Sequence, residues 1–493
     1  MEESKRPDIG RCEIRGEEAG TAPGVGGSRR GGNGGGNGAA DALPGAGDAS
    51  LGKPGSGDGR ALDAEGPQSG AVRPSAADGA RKPARVLPAP FAALACAQAI
   101  SLFGNAILRF ALPLYVLNLT GSSTAMGFVT ACAWLPYIVL TPIGGVAADR
   151  VRKRRIMAAL DAVMAVVCAG YLAFDGVVDI VGLSVVSLMV LYAVQSVYQP
   201  TVQSAVPALV GQGGIQRATA VISQISMLSS LVGPVLGGLV FGVFGIGPVV
   251  ATAGVLFVGS IALLLAAVRI PFTPLPRTEG VVRTVVGDLR EAFLFLREGR
   301  PVILRTILLA TAFNLVMSAF IVIGAPVVIT QTLGLSNQLM GFAEGAMALG
   351  GLAGGIAAGT LAGRLTTHRA PAVLAAGAAA LLSVAVATAF PLGATASYAL
   401  VVVGLFVTMG CCTVFSVQAV AFVQSETPGY LIGKVMAIVI GLSNCASPVG
   451  QLAYGWLLDA LRGQIPAVVV CVVAVSLCLA AAVARTLRRG LEA

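Results

Sequence analysis

Long apolar runs and short polar segments alternate along this chain from residue 89 to its end. Each run has about 20 residues, the length that lets an α-helix cross a hydrocarbon core about 30 Å thick. Strands of a membrane β-barrel need only about 9–11 residues of alternating polarity, a pattern that these runs lack. The sequence therefore predicts an all-α polytopic membrane protein with twelve transmembrane helices. They are predicted at 91–117, 123–148, 156–174, 180–204, 218–244, 248–268, 303–329, 337–361, 370–390, 396–422, 435–459 and 466–484.

The distribution of charge supports this helix count. Only 12% of the residues are charged and the mean hydropathy is +0.82, whereas soluble domains carry about 25% charged residues. Of the 21 Lys and Arg residues after position 88, 18 lie in segments that alternate to one side of the predicted membrane. Basic residues beside membrane helices stay in the cytoplasm, so we expect a multi-pass protein of the cell membrane with both termini cytoplasmic.

Composition divides the chain into segments. Residues 1–88 are rich in Gly, Ala and Pro, with twelve basic and twelve acidic side chains, and predict a disordered cytoplasmic tail. This tail lacks the apolar core of a signal peptide, so we expect it to stay attached. Two six-helix halves follow, 89–268 and 301–485, joined by a cytoplasmic linker, 269–300. In that linker an amphipathic helix places Leu289, Phe293 and Leu296 on one face. Residues 486–493 form a short basic tail.

Residues for metal binding or catalysis are scarce. Eight of the nine cysteines lie in apolar runs, and the only histidine, His368, lies in a predicted loop. We find no catalytic residues, no paired catalytic carboxylates and no GxxxxGK[ST] loop for ATP. We therefore expect no enzyme activity, no metal, no cofactor and no nucleic-acid partner, with a proton gradient as the energy source.

Three features recur at one spacing. The segment Gly145–Arg150 is echoed 214 residues later by Gly359–Arg364, and Gly233-Pro234 by Ser447-Pro448 at the same offset. Pro113 in helix 1 is echoed by a proline in helix 7 at an offset of 213. Together these echoes predict two parallel six-helix pseudo-repeats around a central cavity, an arrangement typical of transporters with a substrate site near the membrane midplane.

The same motifs resemble the major facilitator superfamily, in its exporter branch of macrolide, siderophore and multidrug efflux permeases. The turn between helices 2 and 3, GVAADRVRKRR, resembles the family's GxLaDRxGRR signature, and helix 5 resembles the exporters' GPxxGG motif. The residues that match the turn signature, a gating motif in the family, are Gly145, Asp149, Arg150, Arg154 and Arg155. Those that match the helix 5 motif are Gly233, Pro234, Gly237 and Gly238.

The resemblance implies a gate on the cytoplasmic side. Asp149 stands where the family has a latch that closes this side, although a purely topogenic charge cluster is the alternative. Gly363 replaces the acid in the second copy, so such a latch is asymmetric. The helix 5 motif has two readings, close helix packing or gating. Gln195, Tyr198 and Gln199 stand where the family has an intramembrane Arg motif in helix 4, so the resemblance does not extend to the Arg motif of the family's usual proton-coupling route.

Charges inside membrane helices are costly, which makes each one a candidate for function. Arg109 in helix 1 and Glu344 in helix 8 have similar predicted depths. Our hypothesis is that they pair across the cavity and that Glu344 gains or loses a proton during transport, with a static ion pair as the alternative. Asp161, one to two turns inside helix 3, is predicted to be a local partner of Arg154 or Arg155, with a proton carrier as the alternative.

Polar side chains at membrane depth are candidates for lining the substrate cavity. They are Asn105, Gln195, Tyr198, Gln224, Asn314, Asn444 and Gln451. The scarcity of acids suits a bulky, largely apolar or amphipathic cargo. The sequence thus favours a monomeric secondary active exporter, a drug or natural-product:proton antiporter. An importer or facilitator of the same superfamily and a non-transporting membrane receptor are the alternatives.

Overall fold

The computed structural model describes residues 88–211, 214–270, 281–361 and 369–491. Twelve helices in this part of the chain are long and apolar enough to cross a membrane, as the sequence predicts. In the N-terminal half they are α1 (Ala89–Thr120), α2 (Ser123–Arg150), α3 (Lys153–Phe174), α4 (Ile180–Val210), α5 (Ile215–Phe244) and α6 (Ile246–Ala267). In the C-terminal half they are α7 (Pro301–Thr332), α8 (Asn337–Thr360), α9 (Ala370–Ala389), α10 (Ala394–Glu426), α11 (Ile432–Ala460) and α12 (Ile465–Leu491).

The helices end where local chemistry stops them. Gly121 ends α1 in the left-handed region at φ +60°, where its amide donates to the carbonyl of Leu117 at 2.8 Å. Asp179 caps α4, because its carboxylate accepts a hydrogen bond from the amide of Gly182 at 2.8 Å. α7 is irregular, with π-helical segments at Asn314–Ser318 and Val327–Thr332. Such π-helical segments often occur at functional sites.

The core differs between the two ends of the bundle. We call the end where α1 begins and α12 finishes the terminal face, and the opposite end the distal face. The largest cluster of buried apolar residues draws on both halves, and where they meet it lies towards the distal face, with Leu114 and Phe320 among its members. Towards the terminal face each half has a cluster of its own, around Tyr198 in one and around Leu296 in the other. The described halves are therefore packed together distally and separate at the terminal face.

The linker forms a helix at Val281–Leu294 that belongs to the C-terminal half. Leu296, just after it, is fully buried against the start of α7, whereas Leu289 and Phe293 are 38% and 46% exposed. Glu291 accepts a hydrogen bond from Lys434 of α11 at 2.6 Å. The three predicted apolar residues therefore divide between the protein and its surroundings, as in a helix that lies along a membrane surface.

Candidate functional site

A cavity of about 600 Å³ lies between the two halves. Its walls are mostly apolar, with Phe110, Leu114 and Met347 among them, and its polar groups include Arg109 and Glu344. A second compartment of about 340 Å³ adjoins it in the N-terminal half and shares part of its wall. This second compartment lies nearer the terminal face. The two together form a largely apolar site with a few polar groups, which is the usual make-up of a small-molecule pocket.

Three aromatic side chains form one wall of the second compartment, and two of them, Trp134 and Tyr192, also line the main cavity. The ring of Trp134 is 5.4 Å from the rings of both Tyr137 and Tyr192, edge to face, and the two tyrosine rings are 6.3 Å apart. We call these three residues the aromatic wall. Sequence reasoning missed it, because the wall joins side chains of α2 and α4 and no sequence pattern connects the two helices. The available signal was Trp134, one of only two tryptophans, at membrane depth in helix 2.

Arg109 and Glu344 line the same cavity from opposite halves, Arg109 on α1 and Glu344 on α8. Both are close enough to Tyr192 to act on it electrostatically. They form no direct ion pair in this conformation, since none of the ion pairs among the described residues joins them. The structure thus brings the two charges to one cavity but leaves them separated, and the proton role of Glu344 stays a prediction.

The other predicted cavity residues are divided among several environments. Gln451 lines the main cavity and donates a hydrogen bond to Ser447 at 3.0 Å, while Asn105 and Gln195 line the second compartment. Asn314 lines a separate cavity of about 90 Å³ inside the C-terminal half. Three residues line neither of the two central compartments nor this separate cavity: Tyr198, Gln224 and Asn444. Helix rotation, which the sequence leaves undetermined, decides this division.

The cavity is closed on its distal side where α2 meets α11. The carboxylate of Asp459 on α11 accepts hydrogen bonds from the Ser122 hydroxyl at 2.6 Å and from the amides of Ser123 and Thr124 at 2.9 and 2.8 Å. Arg462 donates both to Asp459 and to the carbonyl of Gly121. One half of the protein thus caps the first turn of a helix in the other half, where free amides and the helix dipole favour an anion.

Glycines bring the same two helices into backbone contact below this cap. A Cβ added to Gly127 of α2 would lie 2.6 Å from the carbonyl oxygen of Gln451, and one added to Gly455 would lie 2.7 Å from the carbonyl oxygen of Ser123. Real Cβ atoms do not approach so closely, so these positions need glycine. We call the contact of residues 122–127 with residues 451–462 the distal seam.

The helix 5 motif serves two contacts, one within the N-terminal half and one across the two halves. Gly233 and Gly237 pack α5 against α1 within the N-terminal half. Gly238 faces α8 of the other half, where an added Cβ would lie 2.8 Å from the carbonyl oxygen of Asn337. Pro234 contributes its own carbonyl oxygen, 2.6 Å from a Cβ added to Gly341. Close packing therefore accounts for all four motif residues, and half of them pack across the two halves.

The predicted gating motif at the terminal face is only partly described. Gly145, Asp149 and Arg150 belong to the last turns of α2, but their side-chain positions lie outside the description. Arg154 donates to the carbonyl oxygens of Leu265 and Val268, at 3.0 and 3.3 Å, and so binds the end of α6. The latch role of Asp149 stays a prediction.

Asp161 does not pair with Arg154 or Arg155, so that prediction is wrong. Its side chain is fully buried between α1, α3 and α6, where its carboxyl oxygens contact the hydroxyls of Ser101 and Ser260. The prediction placed Asp161 at the correct depth but on the wrong face of α3. Arg154 reaches the backbone of α6 instead, because the carbonyls at a helix end have no partner in their own helix.

Comparisons with known proteins agree with this architecture. Macrolide efflux protein A of Streptococcus pyogenes is 24% identical over 377 residues, which cover 72% of this chain and 86% of that protein. Multidrug efflux pump Tap of Mycolicibacterium fortuitum is 26% identical over 370 residues, which cover 72% of this chain and 86% of the pump. A solved bacterial homologue of the iron transporter ferroportin, in an inward-facing state, gives a TM-score of 0.61 at 16% identity over 80% of this chain and 98% of that one.

A second solved structure shares the same architecture. A bacterial homologue of the human lysosomal transporter Spinster gives a TM-score of 0.59 at 13% identity, covering 81% of this chain and 92% of that one. At these identities the two structures show the fold alone. The sequence profile of the Major Facilitator Superfamily, however, matches residues 94–438, well over half of the chain. Twelve spanning helices in two halves, a cavity between them and this match lead to one conclusion: the chain belongs to the Major Facilitator Superfamily of membrane transporters.

Proposed function

We propose that this protein exports small, largely apolar or amphipathic compounds across the plasma membrane by alternating access, in exchange for protons. The observation that carries the proposal is the apolar cavity between the two halves, closed distally and bordered by the aromatic wall. Relatives named as macrolide and multidrug efflux proteins support export as the direction.

The lining of the cavity supports the class of cargo. An aromatic wall offers faces on which ring systems stack, and the negative face of each ring attracts cations. Glu344 adds one acidic group opposite this wall, and Arg109 adds one basic group. A sugar would need many more hydrogen-bonding groups, and a polyanion more basic ones. The lining therefore favours an apolar compound with a ring system and at most one or two charges.

The orientation of the protein follows from the positive-inside rule. The basic segment at positions 150–155 and the linker helix Val281–Leu294 lie on the terminal face, so we place this face in the cytoplasm. The structure then corresponds to a state that is closed to the outside. In this state a compound enters the cavity from the cytoplasm or the inner leaflet, and opening of the distal seam releases it outside.

Transport into everted membrane vesicles tests the proposal. In vesicles that contain this protein, we expect uptake of a lipophilic fluorescent dye with a ring system to require an acidic lumen. A protonophore should abolish this uptake. The control is the Trp134→Ala variant at equal protein level, which should lose most dye uptake because it lacks the centre of the aromatic wall. Equal uptake with and without a pH gradient would contradict proton antiport, and no uptake across a panel of such dyes would contradict export.

Glu344→Gln tests the proton role of the cavity acid. The amide keeps the shape of the side chain but cannot exchange a proton, so we expect proton-driven dye uptake to fall about 10-fold or more. Exchange of dye between equal concentrations on both sides, which needs no proton movement, should remain. The measurement is the pH profile of dye uptake in the wild type and in Glu344→Gln. An unchanged profile in Glu344→Gln would remove Glu344 from the coupling mechanism.

A further inference from the structure

The contacts of Asp161 form a polar pocket inside the N-terminal half, separate from the cavity. Asp161 is fully buried, and its Oδ1 accepts a hydrogen bond from the Ser101 hydroxyl at 2.7 Å. Its Oδ2 lies 2.6 Å from Ser260 Oγ, and Ser260 Oγ also lies 3.0 Å from the carbonyl oxygen of Ala97. Both serines are buried.

Counting hydrogens in this pocket indicates which form of Asp161 it holds. Ser260 has one hydroxyl hydrogen, but its oxygen lies within hydrogen-bonding distance of two acceptors, the Ala97 carbonyl and Asp161 Oδ2. Both contacts are hydrogen bonds at once when Asp161 carries a proton on Oδ2 and donates it to Ser260. Ser260 then donates to Ala97. The ionised carboxylate leaves one of these two close oxygen pairs without a hydrogen between them.

The charges around the pocket also favour the protonated form of Asp161. No described ion pair includes Asp161, and among the residues whose side chains are described Tyr198 of α4 is the only titratable one beside the pocket. On α3 the nearest cations are Arg154, which is bound to α6, and Arg155, which is exposed. Arg109 lies about two turns after Ser101 on α1. On α6 and on the part of α2 whose side chains are described, no charged residue faces Asp161. A buried carboxylate without a cation is very costly, whereas the neutral acid is not.

Polar groups without partners connect this pocket to the cavity. The Tyr198 hydroxyl is buried beside Ser101 and Ser260 without meeting hydrogen-bond geometry, and both polar atoms of the fully buried Gln98, one turn before Ser101, also have no partner. Asn105, one turn after Ser101, lines the second compartment and donates to the Ser101 carbonyl at 2.8 Å. A line of polar side chains thus runs from the second compartment to Asp161.

The second half of the protein shows that the fold does not need an acid at this position. At the repeat offset of 213 or 214 residues, Asp161 corresponds to Leu374 or Ala375. Leu374 is fully buried and belongs to the apolar core. An apolar side chain therefore suffices at the corresponding place, and the acid in the N-terminal half calls for a separate explanation.

We propose that Asp161, with Ser101 and Ser260, is a proton-binding site of the N-terminal half that is occupied in this conformation and exchanges its proton with the cavity past Tyr198 and Asn105. The site extends the proposed function by adding a second proton carrier besides Glu344. Its test does not depend on transport, so failure of proton antiport and failure of this site are separate results.

Infrared spectroscopy of the purified full-length protein tests the site with the proton itself as the probe. Above about pH 5.5, exposed carboxyl groups with ordinary pKa values near 4 are ionised and give no carbonyl band of a protonated acid. We expect such a band in the wild type and in Glu344→Gln, and its loss in Asp161→Asn. As the pH rises the band should disappear in one step. The spectrum of the wild type minus that of Asp161→Asn isolates it.

A second variant covers the case in which Asp161→Asn does not fold. Ser260→Ala keeps the acid but removes the acceptor of its proton, so the band should move to higher frequency, as expected for a carboxyl group with one hydrogen bond fewer. The proposal is overturned if no band depends on Asp161 at any pH, if the band does not respond to pH, or if Ser260→Ala leaves its frequency unchanged.

Discussion

The distal seam and the terminal face show how two similar halves are held together in opposite ways. At the distal seam the halves meet backbone to backbone through Gly127 and Gly455, and Asp459 caps a helix of the other half. At the terminal face each half has its own apolar cluster, and the ion pairs of Arg300 with Glu426 and of Lys434 with Glu291 lie within the C-terminal half. Each half thus buries its own apolar residues at the terminal face, whereas at the distal seam the two halves are packed against each other.

The way in which the halves meet at the distal seam bears on how the cavity opens to the outside under the proposed function. The distal seam uses contacts that are lost together, because Asp459 and the glycines lie on the same pair of helices. Its polar part resembles a single helix cap, which contributes about 0.5–2 kcal/mol. Loss of a cap of this strength needs only a modest change in free energy, of the size that binding of a ligand or a proton supplies under the proposed function. The separate terminal clusters allow the halves to move as rigid bodies.

The largest effect on closure of the distal seam is expected from a side chain added where the backbones of α2 and α11 touch. In Gly127→Val the side chain meets the carbonyl oxygen of Gln451, so the distal seam cannot close without moving α11. Overpacking of this kind costs about 1–3 kcal/mol, which lowers the population of the closed state about 5- to 150-fold. Hydrogen exchange at residues 123–126 should become faster, and dye transport should fall.

The control for this substitution is Gly170→Val on α3. A Cβ added to Gly170 meets nothing within 4 Å, so the substitution carries the same change in helix propensity without the collision. We expect its exchange and transport to match the wild type. If Gly127→Val also behaves like the wild type, the close approach of α2 and α11 has no part in closing the cavity.

A smaller effect is expected from removing the carboxylate that caps α2. Asp459→Ala leaves the amides of Ser123 and Thr124 without their acceptor. The loss of a cap costs about 0.5–2 kcal/mol, which corresponds to a roughly 2- to 30-fold lower population of the closed state. Hydrogen exchange at the start of α2, measured by mass spectrometry, should become faster by a similar factor.

Asp179→Ala provides the matched control for the cap. Asp179 also accepts from a backbone amide at a helix start on the distal face, but its partner Gly182 belongs to the same half. We expect it to destabilise the start of α4 and to leave exchange at residues 123–126 unchanged. The same acceleration at residues 123–126 in both variants would mean that Asp459 acts on general stability and not on the seam.

The sequence is sufficient to predict the helices but not their partners. Apolar runs and charge asymmetry predict twelve helices, because length and hydropathy are local properties. The cap by Asp459 joins residues 335 to 337 positions apart, and no periodicity connects them. Asp161 shows the same limit on a smaller scale. Its depth in helix 3 was predictable, but its contact with two serines depends on how α3 is rotated against α1 and α6.

The smallest effect is expected at the terminal face, where Glu291→Gln weakens the contact between the linker helix and Lys434 within one half. Both side chains are partly exposed, so the pair contributes about 1 kcal/mol or less and is screened by salt. Thermal unfolding should shift slightly at low salt and not at high salt. Hydrogen exchange at residues 123–126 should not change, because a contact within one half moves with that half. Faster exchange there would show that the linker takes part in closing the distal seam, and the two ends of the bundle would then not be independent.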